Sequence, residues 1–393
     1  MKLKALVKQN RYELLIFTAL MLQAVFTVDW KDPVKYVYYP LYLADFRVGV
    51  ASRLFIGSIV SLLTRRVTER WLIGFLLVSL ALAYLLTAVV LGRLLRKTAP
   101  SSGNVAVLLT VLFVFCSFTI RPFALFLGEL DLYLYIFALL AAVCAPCRRA
   151  AWFIPLLIVF SVAAVYSAAF SFIPFIIAVV VYEAVKSGFS KSRTALAVVS
   201  VVAFTAATVY FVFFANRFLF MDRAEMNAFI AGRTDIDYWK TFLDGYLFLY
   251  DEESGLSADS VWSMTKIITS FNKGAPLWDY AGYAVFLVPV FGAFALFWRG
   301  AAREAGSRAE RFFMRLCLLL PLACVPALII STDFERFISE ALTAQFGLVF
   351  YLLRGRNKAV AAALAKAEAY MKAQPMALAA LVIFCLSPGV RKW

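Results

Sequence analysis

Acidic and arginine residues interrupt apolar sequence at three widely separated places. The first is Asp45-Phe46-Arg47, followed by Arg53 inside the apolar run 48–63. The second extends from Arg121-Pro122 to Gly128-Glu129-Leu130-Asp131. The third is Ser331-Thr332-Asp333-Phe334-Glu335-Arg336. A carboxylate can take a proton from an attacking hydroxyl or hold a divalent ion. A guanidinium can grip phosphate oxygens with two parallel hydrogen bonds. Glu129 and Asp131 can point into one cavity only from an irregular turn, whereas Asp333 and Arg336, three apart, share a helix face. Taken singly, each cluster also fits helix-end anchoring or local pairing. Brought to one place, Asp45, Glu129, Asp131 and Asp333 with Arg47, Arg53, Arg121 and Arg336 would suit a phosphate-bearing substrate.

Other chemistry is narrowed by composition. The chain has no histidine, which removes Ser-His-Asp and Cys-His nucleophile systems and His-liganded metal sites. Its six cysteines lie in or beside apolar segments and read as small buried residues. Cys144 and Cys147 form a lone CxxC without a second pair. Asp235-x-Asp237 is a DxD-like pair whose commoner reading is a solvated acidic surface. Nearby Trp239, Trp262 and Trp278 fit interfacial anchoring or stacking on a sugar. The residue types leave open whether a divalent ion such as Mg²⁺ or Mn²⁺ is held.

The elements that must position these residues are apolar. Of 393 residues, 63% are hydrophobic and only 16% charged, against about a quarter charged in soluble domains. Mean hydropathy is +0.83. These values exclude a disordered chain and argue against a water-soluble enzyme. A bilayer crossing takes about 20 apolar residues. Apolar runs at about 14–28, 71–92, 104–120, 132–146, 151–167, 169–185, 196–215, 281–298, 315–331 and 337–353 predict an all-α, polytopic chain. A weak run at 376–387 makes the expected number about 10–11 transmembrane helices.

The whole chain, 1–393, reads as a single membrane domain. Residues 30–70 form a first outer loop carrying an amphipathic, surface-lying helix, and 216–280 form a larger outer insertion. The N-terminus, with Lys2, Lys4, Lys8 and Arg11, is expected in the cytoplasm. The same alternation puts basic clusters such as Arg148-Arg149 inside and all three charged turns outside. The net charge of +15 is then a matter of membrane sidedness and requires no nucleic-acid partner.

The N-in first span and the first-loop acid Asp45, in Tyr42-Leu43-Ala44-Asp45-Phe46-Arg47, resemble the GT-C superfamily of membrane glycosyltransferases. The stretch DFRVGVASRLFIG from Asp45 to Gly57, with the late pair Asp333 and Arg336, is similar to segments of bacterial multipass envelope proteins. The usual Asp-Glu or His-x-Asp-Glu wording of the GT-C first loop is absent. The resemblance implies an enzyme of the bacterial inner membrane, acting on the extracytoplasmic face. It would transfer sugar from a polyprenyl-phosphate-linked donor to an envelope glycan or lipid acceptor. Asp45 is then the expected catalytic acid or base, with Arg47, Arg53, Arg121, Glu129, Asp131, Asp333 and Arg336 binding substrate. An envelope-polysaccharide polymerase and a lipid-linked sugar flippase or transporter are the alternative readings.

Overall fold

The structure, a computed structural model, describes residues 9–35, 38–165, 170–214, 218–236, 277–325 and 334–386. Among them the fold is all-helical, with isolated backbone bridges in place of strands. In chain order the helices are α1 (Arg11–Thr27), α2 (Pro40–Leu43), α3 (Leu54–Leu63), α4 (Glu69–Phe115) and α5 (Arg121–Leu125). Next come α6 (Asp131–Cys144), α7 (Ile154–Ala164), α8 (Phe172–Lys186), α9 (Lys191–Val209) and α10 (Arg223–Ala231). The last are α11 (Leu277–Glu304), α12 (Arg308–Leu319), α13 (Phe334–Arg354), α14 (Lys358–Ala373) and α15 (Pro375–Leu386).

Local sequence starts several of these helices. Thr68 accepts from the Trp71 amide at the head of α4, and Asn357 accepts from Val360 at the head of α14. Asp222 and Glu225 close a reciprocal capping box on α10. Apolar length does the rest. Glu69–Lys97 and Lys191–Val209 are long and apolar enough to cross a membrane, with mean hydropathies of 2.5 and 1.6. Leu54–Leu63, Val105–Phe115, Asp131–Cys144 and Ala150–Ala164 are shorter apolar helices.

One element, α4, spans the stretch where the sequence predicts two separate helices. A straight helix would hold Leu91 and Phe113 about 33 Å apart, yet both line one cavity with Tyr135, Gly347 and Phe350. The chain therefore doubles back between Lys97 and Val105. At the start of α4, Glu69 accepts from the Tyr39 hydroxyl, and near its end the Val114 carbonyl accepts from Gln23 of α1.

Long-range bonds define two ends of this bundle. At the basic end, Arg96 pairs with Glu13, Arg193 donates to Ala145 and Pro146, and Tyr351 donates to Glu183. At the Asp45 end, Arg336 of α13 pairs with Asp131 of α6, and the Arg53 amide donates to Ala163 of α7. α6, α7, α8, α9 and α13 run between these ends. α3 is different: Arg53 before it and Val67 after it both bond at the Asp45 end, to Ala163 and Arg233. It packs against α2 so closely that a Cβ on Gly57 would lie 1.8 Å from the Ala44 carbonyl oxygen.

Candidate functional site

Asp45 sits just beyond α2 and is 1% exposed. Its Oδ1 accepts from the Arg47 amide at 2.9 Å and from Arg47 Nε at 3.0 Å. Its Oδ2 accepts from Arg47 Nη2 at 2.7 Å and from Arg233 Nη1 at 2.7 Å. A carboxylate offers about four lone-pair directions, so this one is saturated. Burial alone would push the Asp45 carboxyl up. The Arg47 hydrogen bonds and the charges of Arg233 and Arg47 overcome that, and hold it below its ordinary value.

The two arginines differ in their setting. The Arg47 side chain is 59% exposed and that of Arg233 is 7% exposed. Both guanidinium groups lie over the Phe229 ring, at 4.7 Å and 5.4 Å from its centre. Arg233 also donates to the Leu43 carbonyl oxygen at 2.5 Å. Among the described residues its Nε and Nη2 find no acceptor although both are buried. Burial lowers the Arg233 pKa; Asp45 opposes that shift and Arg47 adds to it. The backbone around Arg233 is fixed by the Val67 amide on its carbonyl at 2.7 Å and by Thr234 Oγ1 on the Val67 carbonyl at 2.8 Å. A second bridge, Gly49 with Leu219, ties the same loop to the chain leading into α10. Gly49 is required there, because a Cβ would lie 2.8 Å from the Phe218 carbonyl oxygen.

A second group lies across α2. Arg336 forms a fork-to-fork pair with both oxygens of Asp131. Its Nε lies 4.0 Å from Glu129 Oε2 and 3.9 Å from Glu340 Oε1. The Tyr38 hydroxyl donates to Glu129 Oε1 at 3.0 Å, and the Tyr42 hydroxyl to the Gly128 carbonyl at 2.7 Å. Gly128 adopts φ +109°, the left-handed turn that lets Glu129 and Asp131 converge. Glu129, Asp131, Arg336, Ser339 and Glu340 line one cavity with Phe123 and Phe126. Its interior of about 10 Å³ for a water centre admits roughly one water or one hydroxyl group.

Glu340 is the least satisfied member. It is 3% exposed, and no hydrogen bond reaches either carboxylate oxygen among the described residues, although Asp131 and Ser171 face it. The Ser339 hydroxyl is likewise buried without a partner. A buried polar group left unpaired costs about 1–3 kcal/mol, so the cavity is poised for a polar guest. Three carboxylates stand around one guanidinium. Even so, no group of three or more Cys, Asp or Glu among the described residues is placed to hold a metal ion.

The expected residues thus divide. Asp45 joins Arg47, and Glu129 and Asp131 join Arg336. α2 connects the groups: Tyr38 and Tyr42 reach the second, and Leu43 and Asp45 belong to the first. Arg121 instead donates to Ser117 Oγ at 3.2 Å. Arg53 caps α3 in a left-handed conformation, φ 72°. Such a conformation costs a non-glycine residue about 1 kcal/mol or more; here the Ala163 carbonyl holds its amide at 3.0 Å. Asp333 and Asp237 lie outside the described residues, and Asp235 is exposed. Arg233 and Glu340 were not singled out by their sequence context. Glu340 carried a usable signal, since it is an acid inside an apolar run. Arg233 carried none, because its partner is distant in sequence.

Comparison of the chain with protein-family models, with curated proteins and with solved structures finds no match.

Proposed function

We propose that the chain is a polytopic inner-membrane glycosyltransferase of GT-C type, with its N-terminus in the cytoplasm and its reaction at the extracytoplasmic, Asp45 end of the bundle. The donor is a polyprenyl-phosphate-linked sugar and the acceptor is an envelope glycan or lipid. The observation that carries this reading is the pairing of two complementary groups across α2. One holds two Arg233 donors, Nε and Nη2, with no acceptor among the described residues. The other holds the buried Glu340 carboxyl, which receives no hydrogen bond among the described residues and whose nearest cation, Arg336, lies 3.9 Å away.

Their roles follow from what each lacks. Arg233 Nε and Nη2, with Arg47 beside them, supply donors for the donor phosphate. Asp45 is assigned as a positioning residue: with every lone-pair direction filled and its pKa held down, it is a weak proton acceptor. Glu340 takes the proton of the acceptor hydroxyl as that oxygen attacks the anomeric carbon. The bond from the sugar to the phosphate oxygen breaks, and polyprenyl phosphate leaves with the electron pair. The arginines stabilise the negative charge that gathers on it. The narrow cavity fits the reacting hydroxyl, with the sugar ring outside it. Arg336 and Asp131 lock one another in place and set the position of Glu129. No step is assigned to a metal ion.

Deletion of the gene followed by complementation tests the reading. The expected result is loss of one sugar from an envelope glycan or glycolipid, restored by the wild-type chain and not by Glu340→Gln at equal membrane abundance. An unchanged set of envelope glycans in the deletion strain would overturn it.

A further inference from the structure

The basic end of the bundle carries a groove that glycosyl transfer does not use. It lies between α11 and α12, antiparallel helices joined by the short turn Ala305–Ser307. Arg299, Arg303, Arg311 and Arg315 line it, over Leu318 and Leu319. Arg299 and Arg303 are one turn apart on α11, and Arg311 and Arg315 are one turn apart on α12. In an antiparallel hairpin this numbering sets Arg303 opposite Arg311 and Arg299 opposite Arg315. The result is two rungs of paired guanidinium groups about 6 Å apart along the axis. The groove has room of about 600 Å³, within the usual range of ligand sites.

Four like charges at this spacing repel one another and call for anions, yet the hairpin's own acids are engaged elsewhere. Glu304 pairs with Lys366 of α14. Glu310 accepts from Asn357 at 2.6 Å and from the Gly306 amide at 3.0 Å. Among the described residues none of the four guanidinium groups has an ion-pair or hydrogen-bond partner. Beside the groove, Leu296, Phe312 and Leu319 are exposed by 70%, 63% and 51%. An apolar flank of this kind suits acyl chains, and Trp298, buried behind the groove and bonded to Gln345, holds α11 against α13.

We infer that this groove binds the headgroup of an anionic membrane lipid carrying two phosphodiesters, one phosphate on each arginine rung. A headgroup whose phosphates are joined by a three-carbon bridge has a reach similar to the spacing of the rungs. Basic pockets between membrane helices on the cytoplasmic side are established sites for such lipids. The inference rests on the membrane placement proposed above and is independent of the transfer chemistry.

Native mass spectrometry of the detergent-solubilised full chain tests it. The probes are diphosphatidylglycerol, phosphatidylglycerol, phosphatidylethanolamine and inorganic phosphate. The two-phosphate lipid is expected to be retained at least tenfold more than the single-phosphate lipid. Millimolar inorganic phosphate is expected to leave it bound. Arg299→Gln with Arg315→Gln should lower retention at least tenfold, while Lys191→Gln with Lys358→Gln, also at the basic end, should not. All these positions are exposed, and an unchanged thermal transition reports that the variants fold. Equal retention of phosphatidylethanolamine, displacement by inorganic phosphate, an unaffected arginine double variant or an equal loss in the lysine control would each overturn it. A chain recovered in the soluble fraction without detergent would instead overturn the membrane placement.

Discussion

Arg233 Nη1 donates to Asp45 Oδ2 at 2.7 Å, joining positions 188 residues apart in a contact that water barely reaches. This bond ties the loop after α2 to the segment after α10. It makes Asp45 a clamp between two arginines. Removing one partner of a buried ion pair leaves the other uncompensated, at about 3–5 kcal/mol. Arg233→Ala and Asp45→Ala should therefore each destabilise the chain by about that much. Arg47→Ala, at the exposed side of the clamp, should cost about 1 kcal/mol or less. Thermal unfolding in detergent measures all three, and equal losses would contradict the asymmetry.

The same clamp predicts an acid limb in stability. Asp45 is held below its ordinary value of 3.8, so the folded state releases its proton more readily than the unfolded chain. A lowered carboxylate pKa gives stabilisation that is complete above about pH 4 and fades as the pH falls through the folded value. Wild type should lose stability across that acid window. Asp45→Asn, already destabilised, should lose less there. The difference between their melting temperatures against pH is the measurement, and parallel curves would exclude Asp45 as the source.

Glu340 should behave oppositely to Asp45. Glu340 is buried beside Asp131 and receives no hydrogen bond among the described residues, so Glu340→Gln keeps the shape while removing one of three carboxyl groups around a single guanidinium. The variant is expected to be as stable as wild type or more so, by up to about 1–3 kcal/mol. Transfer is expected to fall by about a hundredfold or more, the range for loss of a general base. A variant that is both destabilised and active would show Glu340 to be structural.

Gly57→Ala probes the contact that sets the loop carrying Asp45. Its Cβ would lie 1.8 Å from the Ala44 carbonyl oxygen, which is backbone and cannot rotate aside. Overpacking of this kind costs about 1–3 kcal/mol or more. Gly74→Ala, where a Cβ meets nothing within 4 Å, is the control and should be neutral or slightly stabilising. Paired thermal scans of the two variants decide it.

The helix rods were legible in the sequence because burying apolar length needs unbroken runs, and runs such as 71–92 and 132–146 announce themselves. The reversal within α4 was legible too, from the basic residues Arg93, Arg96 and Lys97. The convergence of Glu129 and Asp131 followed from their turn, which the left-handed Gly128 provides. The pairing of residues was much less visible. Arg121 resembles Arg336 in its setting at a charged turn, yet one bonds a neighbouring serine and the other an aspartate on another helix. Only tertiary packing separates those outcomes. Arg233 lies in a polar stretch where an arginine is unremarkable, whereas Glu340 stands out as an acid inside an apolar run but the sequence does not show what it faces.

The central claim is tested most directly by release of polyprenyl phosphate from lipid-linked sugars. The chain would be purified into vesicles and given lipid-linked sugars with glycolipid acceptor, both extracted from native membranes. The account predicts polyprenyl phosphate appearing in step with glycosylated acceptor for wild type. It predicts both products falling by about a hundredfold or more for Glu340→Gln, with that variant's thermal transition at or above the wild-type one. Release by Glu340→Gln at the wild-type rate, or none from wild type with the full donor and acceptor pools present, would contradict it.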